Sequence, residues 1–179
     1  MYGMINLALE QMVKQGYGAD TWEKIKNEAG LDEVRFISMK SYDDKVSYDL
    51  VGAASQVLNI EANELLEKFG EYWILHTAKE GYGDLLKMAG DNLPDFLKNL
   101  NLMHMKVGSV MPDLIPPSFE VQDLTDKSLT LIYSSKRAGL APMVVGLVKG
   151  LGLRFNTPCE VNLVKQDNDN STYSFNVTW

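Results

Sequence analysis

Ile5, Leu9, Met12 and Val13 recur at i, i+4, i+7 and i+8, the spacing of a helix with one buried face. The stripe predicts a first helix ending near Gly16-Tyr17-Gly18. Asp20, with Glu23 three residues on, predicts the N-cap of a short helix that holds Trp22 and Ile25 and stops at Gly30. The polar stretch Lys40 to Lys45 reads as loop. Helices are then predicted over 48–58 and 62–78, the second with Leu65, Leu66, Phe69, Trp73, Ile74 and Thr77 near helical spacing until Gly81-Tyr82-Gly83 breaks it. A long helix is predicted from Leu93 to about Val110, with Pro94 in its first turn, where a missing N–H is tolerated. The run Met111-Pro112-Asp113-Leu114-Ile115-Pro116-Pro117 is predicted to be extended, because a residue before proline is pushed out of the α region.

After Pro117 the period changes to two. Phe119 and Val121, then Leu129, Leu131 and Tyr133, alternate with polar neighbours as half-buried strands do. Gly139 to Leu151 returns to a helix. Cys159, Val161, Leu163 and then Tyr173, Phe175, Val177 and Trp179 alternate again, joined by a turn over Gln166 to Ser171. The expected class is α+β: a helical N-terminal part followed by a mostly antiparallel sheet with one interposed helix.

Length and composition narrow the function. At 179 residues with 45% hydrophobic residues, the chain fits one domain. Asp and Glu outnumber Lys and Arg by 24 to 17, and the net charge of -7 repels nucleic-acid backbones and anionic membranes. Cys159 is the single cysteine, so no intrachain disulfide, four-cysteine zinc site or two-thiol centre can form. The N-terminus shows no basic segment and cleavage site of a signal peptide. The most apolar run, Ala138 to Val148, is interrupted by Gly139, Pro142 and Gly146 and falls short of the roughly 20 residues that cross a bilayer. A soluble, cytoplasmic protein is expected.

Three features carry candidate chemistry. His104 lies in the apolar stripe of its helix, with Leu97, Leu100 and Val107 at i−7, i−4 and i+3. It is either a core histidine bonded to a carbonyl or a single axial ligand to haem iron, for which a neutral imidazole in an apolar pocket is suited. Tyr133-Ser134-Ser135-Lys136-Arg137, read as a strand, puts Tyr133, Ser135 and Arg137 on one face, spread over about 13 Å. That row is either a solvated strand face or a set of donors for two carboxylates on one ligand edge. Pro116-Pro117 stiffens a loop, or presses a rigid ring against a planar ligand. His76 and the acidic pairs Asp43-Asp44 and Glu61/Glu64 read as surface, and the nine methionines as core filling. The chain has no P-loop, HExxH or GxSxG motif.

Together, His104, Pro117 and the Tyr133-x-Ser135-x-Arg137 run resemble the haem nitric oxide/oxygen binding (H-NOX) family, the haem domain also found in soluble guanylate cyclase. The likeness extends to Met1-Tyr2-Gly3, Gly70-Glu71-Tyr72-Trp73, Pro116-Pro117-Ser118-Phe119 and Gly139-Leu140-Ala141-Pro142-Met143, and it is strongest to stand-alone bacterial members of the cyanobacterial type. The resemblance implies one domain over 1–179, with a distal helical subregion 1–60 and a haem-holding subregion 61–179, and one ferrous haem b (iron protoporphyrin IX) between a helical and an α/β part. It implies that His104 is the proximal ligand, that Tyr133, Ser135 and Arg137 clamp the propionates, and that Pro117 helps distort the porphyrin. Ile5, Leu9, Trp73 and Met143 would line the distal side. Oxygen-binding members resemble a pattern with a tyrosine hydroxyl where Met143 stands here, so the expectation is a sensor of NO, and of CO, that is not itself an enzyme. Its output is expected to pass to a separate histidine kinase or cyclic-di-nucleotide enzyme, because the chain ends at Trp179. The alternatives are an O2 sensor using the Trp73 indole, and a haemless interaction or lipid-binding module of the same fold. A small enzyme would need a nucleophile or acid/base pair for which the sequence offers no strong candidate.

Overall fold

The computed structural model describes residues 1–77, 83, 86–167, 169 and 171–179. Two compact units emerge from it, Met1–Phe69 and Gly70–Trp179.

The first unit is helical. Helix α1 (Gly3–Tyr17) buries Leu9 and Val13 of the expected stripe and leaves Ile5 and Met12 half-buried. It passes directly into α2 (Ala19–Glu28) through Gly18, whose φ of 89° lets the chain reverse with no linker. Gly18, not Asp20, therefore occupies the N-cap, and Asp20 sits in the first turn, where its charge meets the positive end of the helix dipole. Helix α3 (Asp44–Leu58) starts earlier than apolar spacing suggests, because the Asp43 carboxylate accepts the Lys45 N–H at 2.8 Å and nucleates the helix inside a polar stretch. Asn59 closes it in the left-handed conformation. Trp22, Ile25, Leu50 and Leu65 are fully buried in this unit.

Helix α4 (Ala62–Tyr72) is followed by a π-helical turn over Trp73–Thr77, so the single helix expected over 62–78 changes pitch at Trp73. Ala78 and Gly81-Tyr82 of the expected break Gly81-Tyr82-Gly83 lie outside the described residues, and Gly83 is helical rather than a breaker. Helix α5 (Leu93–Gly108) is capped by the Asn92 side chain, which accepts the Asp95 N–H at 2.9 Å, and it has Pro94 in its first turn. The segment after it is not wholly extended: the Leu114 N–H donates to the Met111 carbonyl at 3.0 Å, a turn with Pro112 at its first central position. Strands β1 (Ser118–Gln122), β2 (Ser128–Ser134), β3 (Glu160–Gln166) and β4 (Thr172–Thr178) form one antiparallel sheet in the order β1-β2-β4-β3, and α6 (Ala141–Arg154) interrupts it. The chain is α+β, as the change of period from 3.6 to two requires. Leu129, Leu131 and Tyr133 of β2 and Tyr173, Phe175 and Val177 of β4 are buried alternately, forming one core with the apolar stripes of α5 and α6. No helix among the described residues is long and apolar enough to cross a membrane.

Candidate functional site

His104 sits on the inner face of α5, in the stripe that buries Leu97 and Leu100. Its ring packs against Phe119 of β1, with centroids 5.9 Å apart, and Phe119 packs against Tyr133 at 5.4 Å. Tyr133 in turn lies 5.9 Å from Tyr173. Register explains the row: Phe119 pairs with Tyr133 across β1–β2, and Tyr133 with Tyr173 across β2–β4. The imidazole thus stands at the end of an aromatic row laid across the sheet.

The electrostatics of His104 follow from burial. Desolvation lowers its pKa below 6.5, and the nearby Pro117 carbonyl opposes that only in part. The carbonyl is close enough to favour a ring proton, yet Nδ1 is buried without a hydrogen-bond partner. A neutral imidazole with an orphaned ring nitrogen in an apolar setting is matched to a metal. Among the described residues no three His, Cys, Asp or Glu side chains gather into a metal site. The orphaned ring nitrogen of His104 fits the single protein ligand of a haem, whose iron takes its other in-built ligands from the porphyrin.

Tyr133, Ser135 and Arg137 do come together, but not on a strand. β2 ends at Ser134, and Ser135 Oγ accepts the Arg137 N–H at 3.0 Å, folding the chain into a tight turn. The even spread of donors over a strand face is corrected accordingly: only Tyr133 points into the sheet core. Burial pushes its phenol pKa up, while a hydrogen bond from Ser135 and the Arg137 charge pull it back. Arg137 Nη1 donates to the Ile115 carbonyl at 2.7 Å, so the guanidinium ties the turn to the residue before Pro116-Pro117. Lys136 is exposed.

Met143 lies in the first turn of α6 and Trp73 opens the π-helical turn; both are half-buried. The two helices meet very closely, because a Cβ on Gly70 would collide with the Met143 carbonyl oxygen. In the first unit, Leu9 is buried and Ile5 half-buried along α1. His76 is exposed and stacks on Tyr72 with centroids 4.6 Å apart. Sequence reasoning missed Asn101, whose side chain bonds both main-chain groups of Phe119. An asparagine one turn before a candidate ligand was the only available signal.

The chain resembles known proteins in sequence and in fold. The Haem-NO-binding family model matches residues 2–163. Among curated proteins, soluble guanylate cyclase gcy-35 of Caenorhabditis elegans is 34% identical over 161 residues, and gcy-32 of the same organism 31% over 157; each match covers 86% of this chain and 23% of the relative. The chain thus spans less than a quarter of the length of these relatives. Among solved structures, a variant of the Fe(II) unliganded H-NOX protein from K. algicida superimposes with a TM-score of 0.88 at 26% identity, covering 99% of this chain and 96% of that one. An H-NOX protein from S. oneidensis in the Fe(II)NO ligation state gives 0.84 at 20% identity, covering 99% and 98%. With the family model matched over nearly its whole length, the chain belongs to the haem-NO-binding (H-NOX) family, haem-based gas sensors related to soluble guanylate cyclase.

Proposed function

We propose that the chain binds one haem b through His104 and senses NO, with CO as a second ligand. The observation that carries this reading is the half-buried, neutral imidazole of His104, whose buried Nδ1 has no hydrogen-bond partner, at the end of the aromatic row. In the proposal, Arg137, Ser135 and Tyr133 meet the propionates, Pro117 presses on the ring, and Ile5, Leu9, Trp73 and Met143 form the distal wall. The haem would supply an iron able to bind a diatomic ligand, with His104 as its protein ligand.

Ligand choice rests on Met143. A thioether donates no hydrogen bond, and bound O2 builds negative charge that needs a donor, whereas NO and CO depend on one less. The output, on this reading, goes to a separate histidine kinase or cyclic-di-nucleotide enzyme in a bacterial cytoplasm, the sensor itself performing no catalysis.

The test is an absorption spectrum of the purified protein and of His104→Gly. The parent should show a Soret band, and the variant should lose the histidine-ligated ferrous spectrum and regain it with free imidazole. An unaltered ferrous spectrum in the variant removes His104 from the role.

A further inference from the structure

We propose that Asn101 is a positioning residue for His104, latching α5 to β1 so that imidazole and sheet form one rigid presentation; this rests on the reading of His104 as the iron ligand. Asn101 Nδ2 donates to the Phe119 carbonyl at 2.7 Å, and the Phe119 N–H donates to Asn101 Oδ1 at 2.9 Å. Both main-chain groups of one residue are thereby taken by a single side chain.

The chemistry demands a primary amide. β1 is an edge strand whose neighbour in the sheet is β2. An edge residue turned away from its neighbour leaves an N–H and a C=O unpaired, and among side chains only Asn and Gln offer a donor and an acceptor in the geometry of a peptide group. Asn101 acts there as a one-residue extension of the sheet, supplied by a helix.

What this does to His104 follows from the helix. Residues three apart lie beside each other on a helical surface, so the side chain that grips Phe119 is next to the one that carries the imidazole. The Phe119 ring is the one packed on His104, 5.9 Å away. Phe119 also stands two residues after Pro117, whose carbonyl lies near the imidazole. Arg137 holds the same connection from its other side through Ile115. Asn101 therefore sets the height and tilt of α5 over β1, and with them the angle at which His104 presents its free nitrogen.

An internal control lies two residues away. Asn99 Nδ2 donates to the Ala89 carbonyl at 2.9 Å, a bond of similar length from the same helix that touches neither Phe119 nor Pro117. If the Asn101 bonds were only structural, losing Asn99 would have equivalent consequences.

The experiment compares Asn101→Leu, Asn101→Asp and Asn99→Leu with the parent, each purified with its haem. Amide hydrogen exchange at Phe119 reads the latch, and the iron–histidine stretching band in the resonance Raman spectrum of the ferrous protein reads the imidazole. Exchange at Phe119 should accelerate about fivefold in Asn101→Leu, the factor equivalent to one net hydrogen bond. The stretching band should shift and broaden in Asn101→Leu, and less in Asn101→Asp, which keeps the acceptor for the Phe119 N–H and guards against a leucine variant that fails to fold. It should stay at the parent position in Asn99→Leu. Accelerated exchange with an unmoved band would overturn the positioning role, and unchanged exchange would overturn the latch. A parent that takes up no haem overturns the ligand reading and the positioning role with it, while the exchange data still decide whether the latch exists.

Discussion

Gly70 offers the sharpest test of the packing around the proposed distal wall. It is buried near the end of α4, and a Cβ built there collides with the Met143 carbonyl oxygen and lies 2.7 Å from the Leu147 nitrogen and 3.1 Å from the Gly146 carbonyl carbon. All three obstacles are main chain, so no rotamer change relieves them. Restoring ordinary contact distances of roughly 3.5 Å requires the two helices to part by on the order of 1 Å along this line. Overpacking of this kind typically costs about 1–3 kcal/mol, and the upper half of that range is expected where the obstacle is backbone. Gly52 in α3 is the matched control: it is exposed and a Cβ there meets nothing within 4 Å. Alanine at Gly52 should stabilise by about 0.5–1 kcal/mol, because a helical glycine loses more conformational freedom on folding. At roughly 2–4 °C per kcal/mol for a chain of this size, Gly70→Ala should melt about 4–12 °C below the parent and Gly52→Ala about 1–4 °C above it. Scanning calorimetry of the three proteins decides the matter. A Gly70→Ala protein that melts at or above the parent temperature would refute the close approach of Gly70 to α6.

Three further outcomes follow from the site. Because burial lowers the His104 pKa in the folded chain, the unfolded chain binds the extra proton first, so haem-free protein should lose stability as pH falls from about 6.5 toward the lower folded pKa; urea titrations at pH 7.5 and 5.5 should show this loss in the parent and a smaller one in His104→Leu, and equal losses would count against the buried neutral imidazole. Arg137→Ala should retain less haem than Ser135→Ala after identical purification, since it removes a charged donor and the tie to Ile115, whereas a hydroxyl contributes about 1 kcal/mol; equal pyridine haemochrome occupancy would reject the clamp. The ferrous parent in air should form no stable oxy complex, and Met143→Tyr should slow O2 dissociation in flash photolysis; a stable oxy spectrum of the parent would transfer the reading to O2 sensing with Trp73 as donor.

Much of the fold was legible because burial imposes a period. β2 and β4 bury alternate residues as their apolar spacing demands, and α5 buries the stripe that Leu97 and Leu100 mark. What periodicity could not convey is where a polar group starts or stops an element. The Asp43 cap draws α3 into a charged stretch, and a positive-φ glycine lets α2 begin before its expected cap. The π-helical turn at Trp73 is illegible for a related reason: one added residue per turn leaves an apolar stripe nearly unchanged over five residues.

The candidate site divides along the same line. Residue type made His104, Tyr133, Ser135 and Arg137 candidates beside the plainer readings of a core histidine and a solvated strand face, and it was the resemblance to the H-NOX family that pointed to haem. Their arrangement depends on bonds from side chain to main chain, which leave no periodic trace. A strand through Arg137 would have set three donors along a line of about 13 Å. The turn at Ser135 instead spends the serine oxygen on the Arg137 N–H and swings the guanidinium back to the Ile115 carbonyl. The consequence is mechanical as well as chemical. On the proposed reading, a carboxylate engaging Arg137 would act on the segment that carries Pro116-Pro117, and through Phe119 and Asn101 on the helix that holds His104. A haem bound as proposed, by His104 at its centre and Arg137 at its edge, would be held by one connected set of bonds, and a test of coupling is whether Arg137→Ala shifts the iron–histidine stretching band.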